Sequence, residues 1–333
     1  MASKRKLGAW TVPPIGLGCM NLSHAYGTPP SQTDAEAVLQ TALDLGVTHF
    51  DSASLYGFGR NEELVGSFLK QHRDNVVLVS KCGMRGENGV RTIDGRPEKL
   101  REDLENSLRR LQTDVIDLYY LHRFDKKTPV PIEDSVGELG RMVEAGKVRA
   151  IGLSEVSAAT LRKAQAEHPI TAVQSEYSLW SRNVEIAVLD ACSELGVAFV
   201  AFSPLARGFL TAIDLAASQF AEKDIRRGMP RFQEPQLSSN QEWLGQFREI
   251  ATEVGVTPAQ LSLAWVLARG AHIHVIPGTT SIDHLRDNWA AGDLVLGNDI
   301  VDKLSALVTP ERVVGARYPA GTQAEVDTEE FAA

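Results

Sequence analysis

The chain has 333 residues, 43% of them hydrophobic, and carries a net charge of −9 from 34 basic and 43 acidic residues. This length suits one large α/β barrel domain over residues 1–333, with an irregular tail at 309–333. The acidic balance argues against nucleic acid and anionic membrane surfaces as partners. The three cysteines, Cys19, Cys82 and Cys192, have neither a disulfide nor a zinc spacing, so we expect no metal site.

The N-terminal segment lacks the apolar stretch of a secretory signal, and no run of about 18 apolar residues is present. Sparse, odd-numbered cysteines favour a reducing compartment. We therefore expect a cytoplasmic protein that is not membrane-bound, and both a monomer and a homo-oligomer stay open.

Short apolar runs alternate with helical patterns along the chain. The runs are Val/Ile-rich and mostly lack polar alternation, as strands buried on both faces do. They lie at 15–18, 47–50, 76–81, 115–122, 148–154, 171–174, 197–202 and 273–278. Helices are predicted at 31–46, 61–72, 97–112, 135–146, 157–167, 183–195, 242–255, 258–269 and 281–293.

Eight strands alternating with helices predict a (β/α)8 TIM barrel rather than an open doubly wound sheet. No strand is followed by the GxGxxG fingerprint that an open dinucleotide-binding sheet would carry. The segment KRKLGAWTVPPIG, at 4–16, predicts a hairpin that closes the bottom of the barrel. The connection at 205–241, after the seventh strand, is long enough to be functional or disordered.

Polar residues follow three successive predicted strands. Asp51 and Tyr56 follow the second strand, Lys81 ends the third and His122 ends the fourth. Active sites of such barrels lie at the C-terminal strand ends. A lysine there needs a carboxylate partner, and Asp51 is the nearest candidate.

This set suits proton transfer. Tyrosine is a weak acid, but a cation about 4 Å away, at an effective dielectric of about 20, favours its phenolate by about 4 kcal/mol. We therefore expect Lys81 to tune Tyr56, Asp51 to hold Lys81, and His122 to orient a carbonyl oxygen or share the proton. The alternative is a buried ion pair beside a structural phenol.

Three motifs resemble those that carry the catalytic tetrad of the aldo-keto reductases. They are FDSASLYG with Asp51 and Tyr56, VSK with Lys81, and LYYLH with His122. GLSEV, AVQSEYSLW, FSPLARGFLT and VIPGTTSIDHLRDN follow in the same order, so the resemblance covers essentially the whole chain. It implies NADPH-dependent reduction of a small-molecule aldehyde or ketone, with Tyr56 as proton donor.

The resemblance also implies cofactor and substrate contacts. Ser154 and Gln174 would bind the nicotinamide carboxamide, and Phe202 would stack on its ring. The full cofactor set is Gly18, Cys19, Met20, Asp51, Ser154, Gln174, Phe202, Ser203, Pro204, Leu205, Arg207, Gly208, Pro277, Gly278, Thr279, Thr280, Ser281, His284, Asp287 and Asn288. The substrate would contact Met20, Tyr56, His122 and Trp180, and for Met20 and Trp180 a place in the core stays open as the alternative.

The chain departs from the family pattern at two places. Glu155 replaces an asparagine that many members carry, which leaves its role open. Gly278 and His284 stand where members often have lysine and arginine, so we expect a weakened preference for NADPH over NADH.

A second functional class also stays open, a barrel that binds NADPH and regulates a partner with little turnover. No additional partner-binding segment is recognisable, which favours the enzyme. The physiological substrate is not readable from the sequence.

Overall fold

The computed structural model describes residues 4–87, 90–128 and 130–331. In chain order its strands are β1 (Arg5–Leu7), β2 (Trp10–Val12), β3 (Leu17–Gly18), β4 (His49–Asp51), β5 (Val77–Cys82), β6 (Met84–Glu87), β7 (Val90–Ile93), β8 (Ile116–Leu121), β9 (Val148–Ser154), β10 (Ala172–Glu176), β11 (Ala198–Phe202) and β12 (Ile273–Val275).

The helices alternate with the strands. They are α1 (Gln32–Leu45), α2 (Arg60–Leu69), α3 (Pro97–Leu111), α4 (Ile132–Glu144), α5 (Ala158–Glu167), α6 (Val188–Leu195), α7 (Gln236–Gln241), α8 (Leu244–Val254), α9 (Pro258–Ala268), α10 (Ile282–Ala290), α11 (Asn298–Leu307) and α12 (Ala320–Gln323).

Eight parallel strands form one sheet in the order β3-β4-β5-β8-β9-β10-β11-β12. The two ends of the sheet meet, because Ile15 bridges Val275 in parallel and the Gly16 N–H donates to the Val275 carbonyl over 2.9 Å. The sheet is therefore closed, and the predicted (β/α)8 barrel is confirmed.

Side chains of successive strand residues point alternately into the barrel and towards the helices. Val77 and Val79 of β5 belong to a buried cluster inside the barrel, together with Leu118 of β8. Leu78, between the two valines, joins the larger layer between sheet and helices. This parity decides which strand residues reach the barrel mouth.

The N-terminal hairpin closes the bottom of the barrel, as predicted. β1 and β2 pair antiparallel, and their Leu7 and Val12 side chains join the cluster inside the barrel. The Arg5 guanidinium donates to the carbonyls of Gly270, at 2.7 Å, and Ile273, at 2.6 Å. The hairpin is thereby fixed to the loop that precedes β12.

The predicted helices are present, with shifted ends. Ser31 caps α1 by accepting from the Asp34 N–H, which is the cap that the Ser-x-x-Asp pattern predicts. The pattern at 183–195 divides into a 3-10 turn and α6, because Ala187 leaves helical geometry at φ −155°.

Three features were not predicted. A hairpin of β6 and β7 follows the third barrel strand, α11 follows the last predicted helix, and α7 lies within the long connection after β11. The described part of the tail, 309–331, contains α12 and a 3-10 turn and is otherwise irregular.

Within the described ranges, no single helix is long and apolar enough to cross a membrane. One pair, Gln236–Val254 with Pro258–Ala268, passes together by length and composition but is bent by 85°.

We expect Gly66→Ala to destabilise the protein, although alanine favours helices by about 1 kcal/mol. A Cβ at Gly66 in α2 would overlap the backbone of Leu111 in α3, which typically costs about 1–3 kcal/mol. Gly245→Ala in α8 is the matched control, because its Cβ would meet no atom within 4 Å. Urea denaturation should give opposite signs for the two variants, and equal shifts would contradict the close packing of α2 on α3.

Candidate active site

The C-terminal ends of the barrel strands open into a cavity of about 800 Å³. Most residues predicted for the cofactor and substrate line it. They are Gly18, Met20, Asp51, Tyr56, His122, Ser154, Gln174, Phe202, Ser203, Pro204, Leu205, Arg207, Gly208, Pro277, Gly278, Thr279, Thr280, His284, Asp287 and Asn288. Lys81, Cys19, Ser281 and Trp180 lie outside this lining.

Lys81 is the centre of the polar network below the cavity. It lies at the inward-facing end of β5 and is 0% exposed. Its ammonium group donates to the Asp51 carboxylate, to the Ser52 carbonyl at 2.8 Å and to the Tyr56 hydroxyl at 3.3 Å. The other Asp51 oxygen accepts from the Gln174 amide at 2.7 Å. The predicted roles of Asp51 and Lys81 therefore have the required geometry, and Gln174 adds an unpredicted support for Asp51.

The electrostatic balance of this network has two opposing parts. Burial disfavours the charge on Lys81, but Asp51 and then Tyr56 outweigh it and hold the pKa of the ammonium group above its ordinary value. Burial raises the pKa of Tyr56, and Lys81 opposes this without cancelling it. Lys81 therefore stays charged, and the net pKa shift of Tyr56 is upward, contrary to a reading based on the cation alone.

His122 lies beside Tyr56 at the cavity. Their rings meet edge to face, with centroids 5.9 Å apart and planes at 84°. Burial and then the neighbouring Arg123 hold the pKa of His122 well below its ordinary value, so its ring is neutral near pH 7. Its Nδ1 has no hydrogen-bond partner among the described residues.

A tight turn places Tyr56 at the mouth. The 3-10 segment Tyr56–Gly59 contains left-handed backbone at Gly57 (φ 57°), Phe58 (φ 56°) and Gly59 (φ 94°). Glycine adopts this conformation without the steric cost of a side chain. The two glycines therefore allow the chain to reverse into α2 immediately after the tyrosine.

The loop after β11 provides a second concave surface. Left-handed backbone recurs at Ser203 (φ 50°), Ala206 (φ 49°), Arg207 (φ 57°) and Gly208 (φ 92°). Such conformations can turn backbone N–H groups towards an anion. The Arg207 guanidinium is already paired with Glu176 at 3.0 Å, so it is not a free cation for a pyrophosphate.

The cavity wall between β12 and α10 has few charges. Ser281 caps α10, since its hydroxyl accepts from the His284 N–H at 3.3 Å. The Thr279 hydroxyl accepts from the Ser281 N–H at 3.1 Å. Arg286 points elsewhere, with a 61% exposed side chain. Within the described lining, the segment 276–288 contributes neither lysine nor arginine.

Comparison with known proteins identifies the family of this barrel. The sequence pattern of the Aldo/keto reductase family matches residues 14–309. The chain belongs to this family. An aldo-keto reductase of Schizosaccharomyces pombe, whose name specifies NADP(+), is 44% identical over 97% of this chain and 96% of its own.

Solved structures agree with this aldo/keto reductase assignment. A glycerol dehydrogenase from Gluconobacter oxydans superposes with a TM-score of 0.83 at 26% identity, covering 93% of this chain and 96% of its own. An aldo/keto reductase from Klebsiella pneumoniae, in complex with NADP and acetate, gives a TM-score of 0.71 at 28% identity, covering 96% of this chain and 99% of its own.

Trp180 does not form part of the cavity wall in this aldo/keto reductase, which corrects the sequence prediction. It is 3% exposed and stacks on Phe209 with ring centroids 3.9 Å apart. Phe232 meets it edge to face, so the indole is held in an aromatic core cluster. The sequence could not distinguish a core tryptophan from a cavity tryptophan, because both positions are apolar.

Cys19 and Ser281 are the other predicted cofactor residues outside the lining. Cys19 is 0% exposed, and its backbone N–H donates to the Asp51 carbonyl at 2.8 Å. Ser281 is occupied by its helix cap. Both residues support the local backbone, while their neighbours Met20 and Thr280 face the cavity.

Segments distant in sequence complete the wall. The hairpin of β6 and β7 contributes Met84 and Arg91, and the tail contributes Tyr318, Pro319 and Thr322. Thr257 and its neighbours at the start of α9 also line the cavity, where the Thr257 hydroxyl donates to Asp287 at 2.9 Å. From the sequence alone, the tail residues Arg317 and Tyr318 could either edge the cavity or lie away from it, and the other residues named here were not predicted.

The long loop crosses the cavity mouth. The Ile225 N–H donates to the Ala25 carbonyl over 2.9 Å, and the Arg226 guanidinium lies 5.2 Å from the Tyr26 ring centroid. The loop after β11 thus contacts the loop after β3.

Glu155 turns away from the cavity and anchors the tail. It is 0% exposed, and its carboxylate accepts from Arg317 at 2.7 Å and from the Thr328 hydroxyl at 3.0 Å. Its backbone carbonyl accepts from the Asp327 N–H at 2.9 Å. This acid therefore acts as an anchor rather than as a cavity residue, through a contact that spans 162 positions of sequence.

We expect Lys81→Met to raise the pKa of Tyr56 further, because burial would then act without the opposing cation. If the Tyr56 phenolate acts as the base in alcohol oxidation, the pH profile of that reaction should move to higher pH, with a rate loss of about 100-fold or more. Asp51→Asn should shift the profile less, because the Asp51 charge itself also raises the pKa of Tyr56. The pH–rate profiles of the three proteins test this, and an unchanged profile in Lys81→Met would refute the tuning role.

Proposed function

We propose that this aldo/keto reductase reduces the carbonyl group of a small aldehyde or ketone with NADPH, using Tyr56 as the proton donor. The observation that carries the proposal is the contact between the buried Lys81 ammonium and the Tyr56 hydroxyl at 3.3 Å, on the edge of the cavity. A charged lysine held below a cavity-lining phenol suits proton transfer to a bound oxygen.

The cavity fits a dinucleotide cofactor. Its volume, about 800 Å³, falls in the upper part of the range of ligand sites. The left-handed residues Ser203, Ala206, Arg207 and Gly208 offer a backbone surface for phosphate oxygens. The NADP named for the Klebsiella structure and for the Schizosaccharomyces relative supports the same cofactor here.

The cofactor-binding candidates can be assigned to three parts of the cofactor by their position along the cavity. Ser154, Gln174 and Phe202 would hold the nicotinamide end, with Gly18 and Met20 beside it. Ser203, Pro204, Leu205, Arg207 and Gly208 would surround the pyrophosphate through their backbone. The segment from Pro277 to Asn288, including His284 and Asp287, would hold the adenosine end.

NADPH supplies a hydride to the carbonyl carbon. The negative charge that develops on the carbonyl oxygen is neutralised by the proton of the Tyr56 hydroxyl. Lys81 stabilises the phenolate that remains, and Asp51 keeps the lysine charged and in position. The neutral His122 orients the carbonyl oxygen by hydrogen bonding.

Tyr56→Phe should lower aldehyde reduction at least about 100-fold, because the proton donor is lost. NADPH affinity should stay within about threefold, since the ring is kept. Tyr119→Phe is the matched control, because Tyr119 is buried outside the cavity and bonds Ser107 at 3.3 Å. Steady-state rates with an aldehyde panel and NADPH titrations measure both quantities. A Tyr56→Phe enzyme that keeps most of its rate would disprove the mechanism, and absence of turnover by the wild type on the whole panel would favour a regulatory barrel.

NADPH should bind more tightly than NADH by only about tenfold, because no lysine or arginine lines the segment 276–288 within the described cavity. Thr280→Lys adds a cation at an exposed lining position and should raise NADPH affinity without changing NADH affinity. The test is to measure the dissociation constants of NADPH and NADH for the wild type and for Thr280→Lys. A wild-type preference for NADH, or no response to the new lysine, would show that the 2′-phosphate is not held at this segment.

A further inference from the structure

Arg123 is a cavity residue that the catalytic scheme does not use. It directly follows His122, is 9% exposed and lines the cavity. Its guanidinium donates to the His122 carbonyl at 2.7 Å and to the Ser154 hydroxyl at 3.1 Å. Both acceptors are uncharged, and both bonds use the same terminal nitrogen. The positive charge thus has no compensating negative charge in these contacts.

The other cavity arginines differ in this respect. Of the four arginines in the described lining, Arg123 is the one without a described carboxylate within 4.0 Å. The partners of the others are Glu325 for Arg91, Glu176 for Arg207 and Asp224 for Arg226. The fold therefore neutralises its cavity cations in every described case except this one.

Two acids that lie near Arg123 in sequence, or next to its partner Ser154, have other partners. Asp125, two residues later, accepts from the backbone N–H groups of Lys127 at 3.1 Å and Thr128 at 2.9 Å. Glu155, next to Ser154, is paired with Arg317. Neither acid forms a described ion pair with Arg123. A nearly buried cation without a counter-ion is costly, and an anionic ligand offsets that cost.

Resting on the proposed function, we propose that Arg123 binds a carboxylate carried by the substrate, so that the preferred substrates are aldehydes or ketones bearing a carboxylate group. Guanidinium matches a carboxylate in shape and charge, and such hydrogen bonds are among the stronger ones in proteins. The neutral His122 beside it can orient an oxygen but cannot supply this charge.

The position of Arg123 distinguishes the substrate from the cofactor phosphates. Arg123 follows β8 and contacts Ser154 at the end of β9, while the phosphate-binding candidates follow β11 and β12. In the closed order of strands, β8 lies across the barrel from β12, and β10 separates β9 from β11. The free cation therefore lies on the side of Tyr56 and His122, where the carbonyl reacts.

The test compares carboxybenzaldehydes with nitrobenzaldehydes of the same substitution pattern, since the two groups are similar in shape and differ in charge. The wild type should prefer the carboxylate for at least one of the ortho, meta and para pairs. Arg123→Met should lower kcat/KM for that carboxylate about 10- to 100-fold more than for its nitro partner. Arg123→Lys should recover part of the preference. Arg91→Met is the matched control, because the Arg91 charge is already paired, and it should change the ratio less than threefold.

Benzoate binding to the enzyme with NADP+ provides a readout independent of turnover. Arg123→Met should weaken it at least tenfold while the NADPH dissociation constant stays within threefold. Equal loss for charged and neutral aldehydes, or a change in NADPH affinity alone, would make Arg123 a cofactor-positioning residue through Ser154 and overturn the proposal. If no aldehyde is reduced but benzoate binding still depends on Arg123, the reductase function fails while the anion site stands. If Arg123→Met does not fold, absence of any carboxylate preference in the wild type overturns the proposal.

Discussion

A positive charge buried at the mouth of the barrel is the constraint on which the site depends. Lys81 is inaccessible to solvent, so its ammonium group requires Asp51, the Ser52 carbonyl and Tyr56 as replacements for water. Asp51 ends β4 and the other two partners follow it, while the lysine is the last but one residue of β5. Their convergence therefore depends on the pairing in which Asp51 lies opposite Val79.

Strand parity makes this arrangement sensitive to register. Lys81 shares the inward side of β5 with Val77 and Val79, whereas Leu78 and Cys82 join the layer beneath the helices. A slip of one residue would turn the lysine into that apolar layer. The core packing that holds the barrel together is thus the same feature that places the Lys81 ammonium group beside Tyr56.

The parts of the structure that follow local rules could be predicted from the sequence. Apolar runs and caps revealed the strands and helices, and the position of Lys81 at the end of a run indicated its partner in Asp51. Contacts between distant segments have no such local signal in the sequence. The ion pair between Glu155 and Arg317 is one example. The net pKa shift of Tyr56 also needed the structure, because it depends on how completely the phenol is buried.

The prediction from sequence missed two features for different reasons. The hairpin of β6 and β7 had a usable signal, since an Asn-Gly pair lies between its strands in the sequence. Arg123 had a weaker one, because an arginine after a strand-end histidine could equally face solvent. Only the structure shows that its guanidinium has no described carboxylate within 4.0 Å and that its two described partners are uncharged.

The anchoring of the tail bears on how this barrel can be shortened or recombined. The family pattern ends at residue 309, yet Arg317 and Tyr318 lie beyond it and contact two buried acids, Glu155 and Glu176. Truncation at the family boundary would keep every barrel strand but leave Glu155 without its counter-ion. A tail exchanged between relatives would likewise need a compatible residue at position 155. The end of the family pattern is therefore not the end of the folding unit.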